Sequence, residues 1–141
     1  MQVRTLNFTA LSRCADEHQY GNYRMKKILI IEDDLNHIEK YETALGGKVE
    51  LILAETVVDA KRLFDENTDV AAIVVDGCLT DGGEPDTLEV VRHIRRKGFS
   101  GPMIANSSTH NKLLREAGCD KSCTYGDKGI IPTQLTELLG L

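Results

Sequence analysis

Acidic side chains stand at two points of the sequence where an apolar run has just ended. The triplet Glu32-Asp-Asp34 follows the run Lys27-Ile-Leu-Ile-Ile31, and Asp76 follows the run Ala71-Ala-Ile-Val-Val75. Carboxylates brought close together repel each other, and a hard divalent cation such as Mg²⁺, which prefers oxygen ligands, offsets that repulsion. A single acid at the end of a strand is more often simply hydrated. The magnesium hypothesis therefore depends on whether the two runs lie side by side.

Strand and helix patterns alternate from residue 26 to the end of the sequence. Continuous β-branched runs are typical of strands buried on both faces, and helical periodicities separate them. The pattern predicts strands at 27–31, 49–54, 71–75, 103–105 and 122–125, and helices at 36–45, 57–64, 86–97, 111–117 and 132–139. Thr56 is expected to cap the second helix, with Asp59 in its first turn.

This alternation predicts an α/β fold, a five-stranded doubly wound parallel sheet with helices on both faces. Five units are too few for an eight-fold barrel, which needs roughly 250 residues. In the flavodoxin-like strand order 2-1-3-4-5 the first and third strands are neighbours, and ligands bind beyond the carboxyl ends of the strands. Glu32, Asp33 and Asp76 are then expected to converge in one crevice, near the hydroxyl of Ser107 after the fourth strand.

Length and charge exclude several classes of protein. The chain has 141 residues, with 17 Lys and Arg against 22 Asp and Glu, and a formal net charge of −5. A single domain of this size folds without a disulfide or a structural metal. The acidic balance argues against direct binding of nucleic acid, and no apolar run approaches the ~20 residues that span a membrane.

The first 25 residues differ from the rest because they show no sustained period. We expect residues 1–25 to be a loose N-terminal extension and residues 26–141 to form the domain. A start codon at Met25 and a docking arm are both open interpretations of the extension. The four cysteines form neither a CxxC pair nor a zinc-finger spacing, and the N-terminus has no signal-peptide core. Both observations predict reduced thiols in a cytoplasmic protein.

Taken together, these motifs resemble a response-regulator receiver domain of two-component signalling, the CheY-like family. The resemblance rests on KKILIIEDD, on AAIVVD, on the hydroxyl of Ser107 and on the AGCD turn after the fourth helix, and it covers about residues 26–141. It implies that a histidine kinase or phosphotransfer protein phosphorylates Asp76, and that the change is passed to an output partner. Homodimerisation is common in the family, but nothing in this sequence specifies it. The resemblance implies no enzymatic turnover beyond phosphorylation and dephosphorylation of this one aspartate.

The resemblance also implies the ligands of the phosphorylation site. Mg²⁺ would be bound directly by Asp33 and Asp76 and through water by Glu32, with the backbone carbonyl of Cys78 completing the site. Ser107 matches the hydroxyl that hydrogen-bonds the phosphoryl oxygen and moves on activation.

The region after the fourth helix departs from the family pattern. The family places a lysine directly after strand five, where this sequence has Tyr125, and the nearest lysine is Lys128. Lys128 is either the phosphate-binding lysine or a solvated loop residue. The family's strand-five aromatic falls on Ser122. The loop 77–85 is longer than usual.

Two other functions remain as alternatives. A pseudo-receiver would use the same fold as a phosphorylation-independent interaction module, and the displaced lysine favours it. Residues 75–82 also resemble part of the first motif of haloacid-dehalogenase-type phosphatases, but the nucleophilic Asp of that motif falls on Val74. All four histidines (His18, His37, His93 and His110) are expected to be surface or packing residues. No output domain follows the last helix, so we expect a partner to supply the output unless the sequence is a fragment.

Overall fold

A six-stranded sheet forms the centre of the computed structural model, which describes residues 3–6, 25–80, 83–122 and 131–141. The strands are β1 (Val3–Leu6), β2 (Lys27–Ile31), β3 (Glu50–Ala54), β4 (Ala72–Val75), β5 (Met103–Ala105) and β6 (Lys121–Ser122). The helices in these ranges are α1 (Leu35–Leu45), α2 (Val57–Glu66), α3 (Leu88–Arg96), α4 (Asn111–Ala117) and α5 (Ile131–Leu139).

The order of the strands across the sheet is β1-β3-β2-β4-β5-β6. Strands β2 to β6 all pair in parallel, so the predicted five-stranded sheet of order 2-1-3-4-5 is confirmed. Strands β2 and β4 are neighbours, with Ile31 opposite Val75. The acids that follow these two strands therefore start from adjacent positions at the same edge of the sheet.

Strand β1 is an addition to the predicted fold. It pairs antiparallel with β3, from Val3 opposite Ala54 to Leu6 opposite Leu51. We expected the whole of 1–25 to be loose, and for these four residues that expectation is wrong. A run of four residues is too short to show a period, and it is ordered by the edge of an existing sheet rather than by its own pattern. Residues 7–24 lie outside the described part of the chain.

Two apolar clusters, one on each face of the sheet, form the core. Helices α2, α3 and α4 pack against one face and helices α1 and α5 against the other. Successive residues of β2 alternate between the clusters, with Leu29 and Ile31 in the first and Ile28 and Ile30 in the second, and all four are fully buried. Burial on both faces explains why the strand is apolar at consecutive positions.

Element boundaries follow the sequence closely except near the fifth parallel strand. Strand β2, strand β5 and helix α4 have the predicted limits, and the Thr56 hydroxyl caps α2 by accepting from the backbone N–H of Asp59 at 3.1 Å. The strand predicted at 122–125 begins at Lys121 instead, because pairing with β5 sets its start. Its described part ends at Ser122, and residues 123–125 lie outside the described ranges.

Two further features concern membrane-spanning helices and the state of the cysteines. Within the described ranges, none of the helices is both long enough and apolar enough to cross a membrane. Cys78 and Cys119, the two cysteines in those ranges, are free thiols. Burial raises the pKa of the Cys119 thiol to about 12, so it stays protonated at neutral pH.

The basic end of α3 contains a guanidinium that joins three segments of the chain. The Arg95 side chain donates to the carbonyl oxygens of Phe99 (2.9 Å), Gly101 (3.0 Å) and Gly118 (2.9 Å), and to Asp120 Oδ2 (2.9 Å). The sequence suggested only that basic residues suit the end of a helix dipole. Arg95 instead ties α3 to the turn before β5 and to the turn before β6.

Replacing Arg95 by Ala should therefore destabilise the fold much more than replacing its neighbour Arg92. Four acceptors would lose a charged donor, and we expect a loss of about 2–3 kcal/mol in the free energy of unfolding. Arg92, half exposed and paired with Glu89 at 3.5 Å, should cost less than about 0.5 kcal/mol. Urea denaturation of both variants measures the difference, and equal midpoints would contradict the role assigned to Arg95.

Candidate functional site

The backbone ladder of the sheet continues one residue beyond three of its strands. The N–H of Glu32 donates to Ala54 O at 3.0 Å, the N–H of Asp76 to Ile31 O at 2.9 Å, and the N–H of Asn106 to Val75 O at 2.8 Å. Glu32, Asp76 and Asn106 are therefore fixed in register with the sheet. Their side chains start from one edge, at the carboxyl ends of the parallel strands.

Three carboxylates come together at this edge. Glu32, Asp33 and Asp76 each offer one oxygen, and these oxygens all lie within 4.8 Å of one another. Glu32 and Asp76 are buried, at 1% and 9% exposed, whereas Asp33 is exposed. The Glu32 Oε2 atom accepts the backbone N–H groups of Asp33 (3.2 Å) and Asp34 (3.4 Å), which hold its carboxylate in place. The cluster is therefore buried on the side of Glu32 and Asp76 and open to solvent at Asp33.

This set of donors is suited to a hard divalent cation. All three groups are carboxylates. Hard cations such as Mg²⁺, Mn²⁺ and Ca²⁺ prefer oxygen ligands, whereas softer metals prefer thiolate ligands. Two buried anions and one exposed anion would leave part of a bound ion's coordination to water, as is usual for Mg²⁺. The structure thus brings together the three acids that the sequence placed at neighbouring strand ends.

The loop that follows β4 fixes the direction of Asp76. The N–H of Gly77 donates to Asp76 Oδ1 at 2.8 Å, and the Thr87 hydroxyl donates to the Asp76 carbonyl oxygen at 2.6 Å. Asp86 closes the loop, because its N–H donates to Gly77 O at 3.1 Å and its Oδ1 accepts from the N–H of Leu79 at 2.9 Å. The start of α3 is thereby anchored to the residue that carries the central carboxylate.

Ser107 follows β5, the strand next to β4, and lies beside Gly77, the residue after Asp76. It is 3% exposed, and its N–H donates to Asn111 Oδ1 at 2.8 Å. A Cβ atom added to Gly77 would lie only 2.8 Å from Ser107 Oγ, so the hydroxyl packs directly against the residue after Asp76. The hydroxyl predicted to follow the fourth strand is therefore next to the acidic cluster.

The remaining sequence-predicted site residues have different outcomes. Cys78 is half-buried, and its thiol donates to Thr80 O at 2.8 Å. Lys128 and Tyr125, the two candidates for the strand-five corner, lie outside the described residues. Two residues that hold the loops, Thr87 and Asn111, are not among the site residues predicted from the sequence. Thr87 directly precedes α3. Its position at the start of a helix was the one feature of the sequence that could have identified it as a residue that holds the loop.

Comparison with known proteins gives structural neighbours only, because no protein-family model and no curated protein matches the chain. The neighbours are response-regulator receiver domains. A CheY-like receiver domain protein from Methanospirillum hungatei JF-1 has a TM-score of 0.65 at 20% identity, covering 83% of this chain and 92% of that one.

Two other neighbours have comparable similarity. The BeF3-activated receiver domain of DrrB, from Thermotoga maritima, has a TM-score of 0.64 at 20% identity and covers 84% of this chain and 100% of that one. The Mn²⁺-bound form of the response regulator Rcp1 has a TM-score of 0.62 at 18% identity and covers 81% of this chain and 94% of that one. At these identities the likeness establishes the fold, which is that of the receiver domains.

The Thr87 hydroxyl provides a test of how the loop supports Asp76. Thr87→Val keeps the shape of a fully buried side chain but removes its donor to the Asp76 carbonyl oxygen. We expect a loss of about 1–3 kcal/mol in the free energy of unfolding, together with a changed amide resonance at Gly77. Thr43→Val, on the exposed face of α1, is the control and should change neither. A Thr87 variant as stable as the control would show that this bond does not hold the loop.

Proposed function

We propose that the chain is the phosphoacceptor receiver of a two-component phosphorelay, with Asp76 as the residue that is phosphorylated. The observation that carries the proposal is the acidic cluster at the edge of the receiver fold, where the Asp76 carboxylate lies within 4.8 Å of two others. The donor is a phosphohistidine on a kinase or phosphotransfer protein. The product is a signalling state of the chain, and we infer no turnover of a separate substrate.

The proposed reaction is a transfer between two nucleophiles. A carboxylate oxygen of Asp76 attacks the phosphorus of the phosphohistidine, and an O–P bond forms as the P–N bond breaks. The imidazole nitrogen keeps the bonding electron pair and leaves as histidine. The Gly77 N–H, which donates to Asp76 Oδ1 at 2.8 Å, would hold the carboxylate in position for this attack. In a transfer of this kind, catalysis consists mainly of positioning and charge stabilisation.

The side chains around Asp76 have separate tasks in this proposal. Asp33 and Asp76 would hold Mg²⁺ directly and Glu32 through water, with the Cys78 carbonyl oxygen as a further ligand. When bound, the ion supplies positive charge that offsets the negative charge of the incoming phosphoryl group. Ser107 would donate its hydroxyl proton to a phosphoryl oxygen. Lys128 is proposed as the second cation of the site.

The proposal also extends to partners and location. A kinase or phosphotransfer protein would approach the open side of the cluster at Asp33, and an output partner would read the surface that changes with the phosphoryl state. We propose a cytoplasmic location, as for reduced thiols in a signalling protein. The phosphatase alternative has less support, because the matching segment starts at Val75, the last residue of the third parallel strand, whereas the phosphatase motif belongs on the first.

Phosphorylation of Asp76 can be tested with a small phosphodonor. With Mg²⁺ and acetyl phosphate, the chain should gain the mass of one phosphoryl group, and Asp76→Asn should gain none because the amide is not a nucleophile. Glu84→Gln removes an exposed acid from the same loop and should be labelled like the unmodified chain. Intact-mass spectrometry measures all three proteins.

The same experiment separates the receiver from the pseudo-receiver. Equal behaviour of the unmodified chain and Asp76→Asn, with no bound beryllofluoride detected by ¹⁹F NMR in either, would overturn phosphorylation. The chain would then be better described as a pseudo-receiver, which binds partners through the receiver fold without being phosphorylated. Labelling that persists in Asp76→Asn would place the acceptor at another residue.

The role of Asp33 predicts a change in cation affinity. Asp33→Asn removes one negative charge and one carboxylate ligand, and we expect the Mg²⁺ dissociation constant to rise by on the order of tenfold. Glu39→Gln, on the exposed face of α1, has the same loss of charge outside the cluster and should leave the constant nearly unchanged. Isothermal titration calorimetry compares the two, and equal constants would contradict a metal site at the cluster.

A further inference from the structure

The imidazole of His110 connects the two loops that border the acidic cluster. Its Nε2 atom lies 3.0 Å from the carbonyl oxygen of Gly83, in the loop after β4, whereas His110 itself belongs to the loop after β5. A carbonyl oxygen only accepts, so Nε2 carries the proton and donates it. From the sequence His110 is expected to be a surface or packing residue, and this contact gives it a more specific position.

The backbone of His110 extends the connection to Ser107 and to α4. Its N–H donates to Ser107 Oγ at 3.0 Å, and the N–H of Thr109 donates to the same atom at 3.3 Å. The carbonyl oxygen of His110 accepts from the N–H of Leu114 at 3.0 Å, in the first turn of α4. One residue therefore contacts the Ser107 hydroxyl, the Gly83 carbonyl group and the start of a helix.

Packing against Gly77 leaves this arrangement little freedom. A Cβ atom added to Gly77 would lie 2.7 Å from His110 Cβ and 3.1 Å from His110 Cδ2, in addition to its 2.8 Å approach to Ser107 Oγ. These distances are too short for a side chain, so only glycine lets the two loops approach so closely. His110 and Ser107 thus pack together on the residue after the phosphoacceptor.

We propose that His110 is a positioning residue that transmits movement of the Ser107 hydroxyl to the loop at 83–86. The inference rests on the proposed function, in which Ser107 donates to a phosphoryl oxygen on Asp76. A shift of Ser107 Oγ displaces the His110 N–H bonded to it, and the rigid imidazole carries that displacement to Gly83.

A double-mutant cycle tests the coupling without any phosphoryl group. Ser107→Ala removes the acceptor for the His110 N–H, and the amide resonance of Gly83 in a ¹H–¹⁵N spectrum should shift. In a His110→Ala background the same Ser107→Ala change should leave Gly83 nearly unmoved, because the bridge is gone. A Gly83 shift of equal size in both backgrounds would overturn the coupling. Because His110 is partly exposed, its truncation is not expected to unfold the domain.

Conservative and control variants separate coupling from general loosening. In His110→Gln the side-chain amide can place a donor near the position of Nε2, and the Gly83 response to Ser107→Ala should partly return. His93 is another partly buried histidine, and its Nε2 atom pairs with Asp65 Oδ1 at a distance of 2.9 Å, away from the acidic cluster. The control variant His93→Ala should therefore leave the Gly83 response intact. Failure of Gln to restore any response would count against the hydrogen bond as the carrier.

Beryllofluoride with Mg²⁺ then shows whether the phosphorylated state uses this route. In the unmodified chain both Thr109 and Gly83 should shift, and in His110→Ala only Thr109 should. A Gly83 shift that survives in His110→Ala would overturn the proposal. If beryllofluoride moves neither residue in the unmodified chain, the proposed function fails, and the double-mutant cycle still decides the coupling by itself.

Discussion

The parallel pairing of β2 with β4 is the constraint on which the site depends. It places the Asp76 N–H on Ile31 O and so forces two buried carboxylates to the same edge, with oxygens within 4.8 Å of each other. Two carboxylates this close together repel each other when both are ionised. Side-chain rotation relieves little of this, because backbone donors hold Glu32 and Asp76 and the apolar strands behind them are fully buried. The fold therefore maintains a concentration of negative charge that favours a cation.

The loops beyond the strand ends surround the acidic cluster and give the site a defined shape. Thr87 and Asp86 bind the loop after β4 back to Asp76 and Gly77, and Asn111 accepts the N–H of Ser107 in the loop after β5. Each bond is worth about 1 kcal/mol net, which is small beside the buried core that holds the strands. The two loops therefore have fixed positions in the structure but a much lower cost of rearrangement than the sheet.

Much of the fold and part of the site could be predicted from the sequence, for identifiable reasons. Strand β2 is apolar at consecutive positions because both of its faces are buried, and the strand order then determines which acids become neighbours. Strand β1 could not be predicted, because its four residues are ordered by the edge of β3. The start of β6 at Lys121 follows from its register with β5, which no local pattern encodes. His110 was beyond prediction for a related reason: its partner Gly83 is set by the conformation of two loops.

The contrast between strands and loops limits where a switching movement can occur. Glu32, Asp76 and Asn106 each continue the backbone ladder of the sheet, so moving any of them breaks a bond that the core supports. Ser107 is the first residue past the fourth parallel strand whose backbone N–H is bonded to a side-chain acceptor instead, and its hydroxyl accepts from the backbone N–H groups of Thr109 and His110. In the proposed phosphorylation of Asp76, movement would therefore meet its least resistance at Ser107, one residue beyond the backbone ladder. The contacts of Ser107 with the neighbouring loop, rather than the strands, would then set the direction of that movement.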